Sequence, residues 1–213
     1  MKRVLHILGI LSMAFFLGAC GKKENIVTET PTISVVHSSY AIDVDSYAAL
    51  AGSADYVIIG NVIEEQNVEY KHKVEIETEN GGSKTVGSPY TNYLIEVEEN
   101  LKGELNQDTP IVIQKEGGVA EDGKSYIMRD GDILPVEGGR YVFYIYAQEN
   151  GQNLVSGKNS TIPLNDASTN GISTMAASEK SDEEILMEIR NGVENPVPRD
   201  RDRSISSDDV SVK

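Results

Sequence analysis

The chain has 213 residues, with 34 Asp and Glu against 19 Lys and Arg, a formal charge of −15, one cysteine, three histidines and no tryptophan. So acidic a surface repels nucleic acid and anionic headgroups, and a single cysteine excludes both an intramolecular disulfide and a cysteine-rich metal site. The length suits one domain with tails.

The first element is a leader. Lys2 and Arg3 are followed by an apolar run from Val4 to Leu17, broken only by His6, Gly9 and Ser12. A positive start, a short apolar stretch and small residues at its end make a secretory signal peptide. The run is shorter than the about 20 residues that cross a bilayer comfortably, so residues 1–19 are expected to be removed. Leu17-Gly18-Ala19-Cys20 resembles the lipobox of bacterial lipoproteins. The resemblance implies recognition of Leu17, Gly18 and Ala19 by the signal peptidase, lipidation of the Cys20 thiol, cleavage before it, and a mature chain that starts at Cys20. Two acyl chains, at about 0.8 kcal/mol per buried methylene, hold a protein on a membrane where one is marginal. Loss of Lys2 and Arg3 leaves 17 basic and 34 acidic side chains, a charge of −17, which keeps a tethered domain soluble and off the bilayer.

Residues 20–42 read as a lipidated, flexible tether without a clear period. Over Asp43 to Ala54 the spacing predicts a short helix, capped by Asp45 or Ser46, with Tyr47, Leu50, Ala51 and Ala54 as its apolar stripe. Asp55 to Ile63 is β-branched and apolar on both faces, a strand buried on two sides, with Gly60 marking a bend or a close backbone approach. Looser alternation (Val68, Tyr70, Val74, Ile76) leads to the Asn80 to Ser83 turn. Tyr90 to Leu101 alternates cleanly, Tyr93, Ile95 and Val97 against Glu96 and Glu98. Thr109 to Gln114 and the aromatic stretch Arg140 to Ala147 are further strands. Asn150-Gly151 is a hairpin turn, and Asn153 to Val155 with Thr161 to Leu164 are expected as the returning strand. After a polar connector, Ser181 and Glu184 form a capping box for a helix with Ile185, Leu186, Ile189 and Val193 as its stripe, ending at Gly192. Residues 43–194 are thus expected to be a single domain, and the charged, serine-rich residues 195–213 a disordered tail.

These strands predict a mainly β fold. Ala54 to Gly60, Tyr93 through Gly103, and Gly138 to Phe143 make the body resemble small OB-like barrels of the netrin and tissue-metalloproteinase-inhibitor type. The resemblance implies a five- to six-stranded OB-like barrel with a short N-terminal helix and a C-terminal helix. It does not carry inhibition of metalloproteinases with it. That activity uses a free N-terminal cysteine on zinc, whereas Cys20 here is expected to be acylated and distant from the barrel.

No catalytic, cofactor-binding or metal-ligating set emerges from the remaining residues. His6, His37 and His72 have no metal-site spacing, and no nucleophile elbow or phosphate loop is present. His72, in a charged strand or loop, reads as a solvated residue rather than a catalytic base. Asp43, Asp45, Glu121, Asp122, Asp130 and Asp132 offer oxygens suited to calcium, but without EF-hand spacing, and they equally suit solvated turns. Tyr144 and Tyr146 fall on the face opposite Tyr141, Phe143 and Ile145, either as an exposed aromatic platform or as half of a two-sided core. The expectation is a membrane-anchored extracytoplasmic lipoprotein, of Gram-positive export style, acting as a non-enzymatic binding module. Its partners would be the membrane, through Cys20, and an extracytoplasmic protein or glycan. A carboxylate-dependent hydrolase and a structural envelope protein are the alternatives.

Overall fold

The computed structural model describes residues 32–78, 80–164, 172–175 and 180–211. The chain divides into two units, residues 1–30 and 31–213, and the first lies outside the described residues, together with Cys20 and its lipobox. The second is mainly β with two helices. In order these are β1 (Thr32–Val36), α1 (Tyr47–Ser53), β2 (Tyr56–Glu77), β3 (Ser83–Lys102), β4 (Ile111–Glu116), β5 (Gly118–Val119), β6 (Ser125–Arg129), β7 (Arg140–Ala147), β8 (Asn153–Val155), β9 (Thr161–Leu164) and α2 (Asp182–Glu194).

The two-sided apolar run of β2 has two cores to fill. Ile58 and Val62 join Tyr93, Ile95, Ile113, Tyr141, Phe143 and Ile145 on one face of the sheet. Val57 and Ile59 face the other way, packing with Val142, Tyr144 and Leu164 under Leu50 and Ala51 of α1 and Ile185 and Ile189 of α2. Each fully buried aliphatic side chain contributes about 1.5–3 kcal/mol. β2 runs antiparallel to β3 along its length and to β7 over Tyr56–Asn61. β3 pairs antiparallel with β4, β4 parallel with β8, and β8 antiparallel with β7. The pairings therefore return to β2 in a partial ring, thinnest at β8, which has three paired positions on β4 and two on β7. The two returning segments are separate strands: β8 takes the end of β7 at Tyr146 and Ala147, and β9 takes Arg140 to Phe143.

A strand of 22 residues can follow such a path only by bending. β2 does so at five register shifts, each an irregularity that adds twist. Gly60 sits at one of them, where a Cβ would come within 2.6 Å of the Ile95 side chain.

Both helices start as their caps dictate. Ser46 accepts from Ala49 N at 3.3 Å, and Ser181 with Glu184 forms the full capping box. A glycine in each helix marks a close backbone approach. Gly192 does not end α2, which runs on to Glu194. It is the crossing point with α1, where a Cβ would lie 2.8 Å from the Tyr47 carbonyl carbon. Gly52 likewise makes room for the backbone of Val197, whose oxygen lies 1.8 Å from where its Cβ would be.

Two segments expected to be unstructured are built into the body. Within the tether, β1 pairs in parallel with β6, which pairs antiparallel with β5. The tail after residue 195 lies along the end of α1, because that helix presents carbonyls with no intrahelical donor. Arg203 donates to Gly52 O at 2.6 Å, Arg201 to Ser53 O at 2.9 Å, and Lys102 of β3 to Ala51 O at 2.7 Å. Arg201 and Arg203 also flank Asp55, at 2.5 and 3.0 Å. Further on, Tyr56 donates to Asp209 at 2.6 Å, and Leu105 and Asp209 form a β-bridge.

Candidate functional site

A groove of about 500 Å³ opens where the stem of the β2–β3 hairpin meets β4 and the β7–β8 turn. Its shape begins with a local irregularity. Successive strand residues normally point to opposite faces. At Lys71 the register slips, and His72 takes φ +50°, the left-handed region that non-glycine residues seldom enter. Both neighbours consequently lie against Tyr90 of β3: the Lys71 ammonium is 5.2 Å from the ring centroid, and the His72 ring is 5.9 Å away, tilted by 58°. Tyr90 is buried and forms the floor, while His72 is exposed and offers its imidazole face to solvent.

A polar ring holds this wall in place. Lys71 donates to Gln114 Oε1 at 2.5 Å, Gln114 to Asn92 Oδ1 at 3.0 Å, and Asn92 to Glu69 Oε1 at 2.9 Å. Glu69 returns to Lys71 at 3.5 Å. The Asn92 hydrogen bond, helped by the Lys71 charge, holds the Glu69 carboxyl below the usual carboxylate range. The facing wall is the Asn150-Gly151 turn that the sequence predicts. Gly151 has φ +84°, Gln148 N donates to Gln152 O at 2.9 Å, and Asn150 and Gln152 bond each other. Ser207 of the tail braces it through Gly151 O at 3.0 Å. The groove thus presents amides, an imidazole and the exposed Glu149 carboxylate on a rigid frame, with the Lys71 ammonium matched by Glu69. Such a lining suits a neutral, hydroxyl-rich ligand better than a polyanion.

The structure places the other candidates elsewhere. Tyr141, Phe143, Tyr144 and Ile145 are all fully buried, so both faces of β7 are core and no tyrosine platform exists there; only Tyr146 is half-buried. Asp122 closes a turn by accepting from Lys124 N and Ser125 N. Asp45 pairs with Lys158 at 2.8 Å, Asp130 with His37 at 3.3 Å, and Asp43 accepts from Asp45 N at 3.0 Å. Among the described residues no three His, Cys, Asp or Glu side chains converge on a point able to hold a metal ion. Asp132 is fully buried against Lys115 at 2.5 Å, and Lys115 also donates to Ser160 at 2.9 Å. This trio resembles a serine–lysine pair, but with Lys115 and Asp132 at 0% and Ser160 at 1% exposure it is closed to any substrate.

Sequence reasoning found the Asn150-Gly151 turn but not its place in a groove, missed Tyr90 and Gln114 as site residues, and read His72 as solvated without its packing on Tyr90. The one available signal was the loosened alternation after Glu64, which is where the register shifts fall. No protein-family model and no curated protein matches the chain.

Proposed function

We propose that the ring of β2, β3, β4, β7 and β8 is a small OB-like barrel, and that the protein is a lipid-anchored extracytoplasmic binding module whose hairpin-stem groove takes a neutral glycan. The observation that carries this reading is the bulge at His72, which aims Lys71 and His72 together over Tyr90 and against the Asn150-Gly151 turn. Backbone strain at a non-glycine residue is a feature of ligand sites. In the pairing order, the groove lies over the second and third barrel strands, between the first hairpin and the fourth-to-fifth strand turn. OB-folds bind oligosaccharides and oligonucleotides at that place. The charge of −17 on the mature chain turns the choice away from nucleic acid. Anchoring rests on the Leu17 to Cys20 lipobox, with residues 1–19 as the removed leader and the protein on the outer face of the cell membrane.

Calorimetric titration of the anchored protein with neutral cell-wall oligosaccharides tests the reading. Saturable binding is expected, weakened about three- to tenfold by either His72→Ala or Gln114→Ala, as loss of one or two hydrogen bonds predicts. Absence of binding by the unaltered protein, or cleavage of the sugar, would overturn it.

A further inference from the structure

A second groove, of about 650 Å³, shares Leu154 with the first and is otherwise separate from it. It lies between segment 37–44, the loop after β8, and the start of the C-terminal segment. Among the described residues, no acidic side chain lines it, in a chain with 34. Its charged lining is Arg129, Lys158 and Arg199, with His37 at one side. Around these stand the hydroxyls of Ser38, Ser53, Tyr40 and Tyr146, while the Ser156 hydroxyl is committed to Glu116. Ile42, Val44, Leu50 and Leu154 supply its apolar lining.

The three cations are differently committed. Arg129 is held by Glu116 at 2.5 Å and donates to Ser38. Lys158 meets Asp45, a carboxylate that is 66% exposed, so this pair is held weakly and can exchange. Arg199 donates only to Ser53 Oγ, at a long 3.3 Å, and no carboxylate lies within ion-pairing distance of it among the described residues. An exposed guanidinium beside hydroxyls, in a groove with apolar residues and no acid among its described lining, keeps most of its donors for a ligand. A planar fork of donors matches oxyanions bidentately. The scattered hydroxyls suit the several oxygens of a phosphate better than the two of a carboxylate. Repulsion by distant acids is largely screened beyond about 8 Å at physiological salt, which leaves the local donors to decide.

We propose that this groove is a second binding site, for a phosphate ester bearing an apolar stem, with Arg199 as its main anion contact. The chemistry is shared by anionic lipid headgroups and by soluble or polymeric phosphates. The test uses the full anchored protein in a nonionic detergent, titrated calorimetrically with hexyl phosphate, hexanoate and hexanol. Hexyl phosphate is expected to bind at least about tenfold more tightly than hexanoate, and hexanol not measurably. Arg199→Gln should weaken hexyl phosphate about tenfold, and Tyr146→Phe, which keeps the ring, severalfold. Arg190→Gln, on α2 and paired with Glu99, should leave it unchanged. The melting temperature of each unliganded variant reports whether it is folded. If Arg199→Gln unfolds the chain, Tyr146→Phe decides. Repeating the titration in phosphatidylcholine vesicles with and without phosphatidylglycerol separates the sources. Competition by phosphatidylglycerol assigns the site to a headgroup of its own bilayer, and its absence assigns it to a soluble phosphate. No binding of hexyl phosphate, equal binding of hexanoate, or unchanged binding by a folded Arg199→Gln overturns the proposal.

Discussion

Replacing Lys115 by methionine leaves the Asp132 carboxylate buried without its ion-pair partner. Both side chains are fully buried, and the ammonium reaches the carboxylate at 2.5 Å. After the replacement Asp132 keeps one donor, Ile133 N at 2.9 Å, and loses the one countercharge within reach among the described residues. Breaking one side of a buried pair costs about 3–5 kcal/mol. That is a large part of the about 5–15 kcal/mol that holds a domain folded. For a chain of this size it lowers the melting temperature by about 2–4 °C per kcal/mol, roughly 6–20 °C in all. The double replacement Lys115→Met with Asp132→Asn leaves no stranded charge and keeps the acceptor for Ile133 N, so it should recover most of the loss. Burial already pushes the Asp132 carboxyl up, with Lys115 opposing it. Without the lysine the rise is uncompensated. A carboxyl raised in the folded state binds protons more tightly there than in the unfolded chain, so its penalty grows as pH rises from the ordinary value, about 4, through the raised one. The Lys115→Met deficit should accordingly shrink on acidification from neutrality. Urea unfolding followed by circular dichroism measures all four corners of the cycle. A single-variant cost below about 1 kcal/mol, or a double variant no more stable than Lys115→Met, would refute the reasoning.

Cys20→Ala should move the protein out of the membrane fraction or leave an uncleaved precursor, and an unchanged fractionation and mass would remove the anchor. Ending the chain at Pro198 takes both guanidinium partners from Asp55, which is 5% exposed, and should cost about 3–5 kcal/mol in urea unfolding; an unaltered midpoint would show that the segment is not packed. Tyr56 is pushed up to about 12, first by burial and then by its hydrogen bond to Asp209. Its contribution to stability is therefore complete below about pH 10 and is lost as pH rises through about 12. A Tyr56→Phe chain should show a shallower alkaline loss than the parent.

The elements that the sequence made legible are those whose cause is local. The capping box at Ser181 and Glu184 closes within one turn, and the Asn150-Gly151 turn closes within four residues. The alternation of Tyr93, Ile95 and Val97 needs only one buried face to produce it. The two-sided run at Val57 to Ile59 announced a strand covered on both faces, and the structure covers it with opposite β strands on one side and two helices on the other.

What escaped has its cause far along the chain. Gly52 and Gly192 look like a weak point and a stop in their own helices, yet each is small because another backbone, Val197 or Tyr47, crosses it. Arg201 and Arg203 read as a solvated tail because nothing near them in sequence needs a cation. The acceptors they satisfy are carbonyls of α1 some 150 positions earlier, at a helix end that has no donors of its own for them. The same holds for the first groove. Lys71 and His72 are adjacent and should diverge, and only a shift of register against β3 turns both onto Tyr90. Periodicity can report that the alternation fails after Glu64, but not which residues the failure brings together. A site made by a bulge is therefore visible in sequence as a loss of pattern, and its chemistry becomes readable only when the partner strand is known.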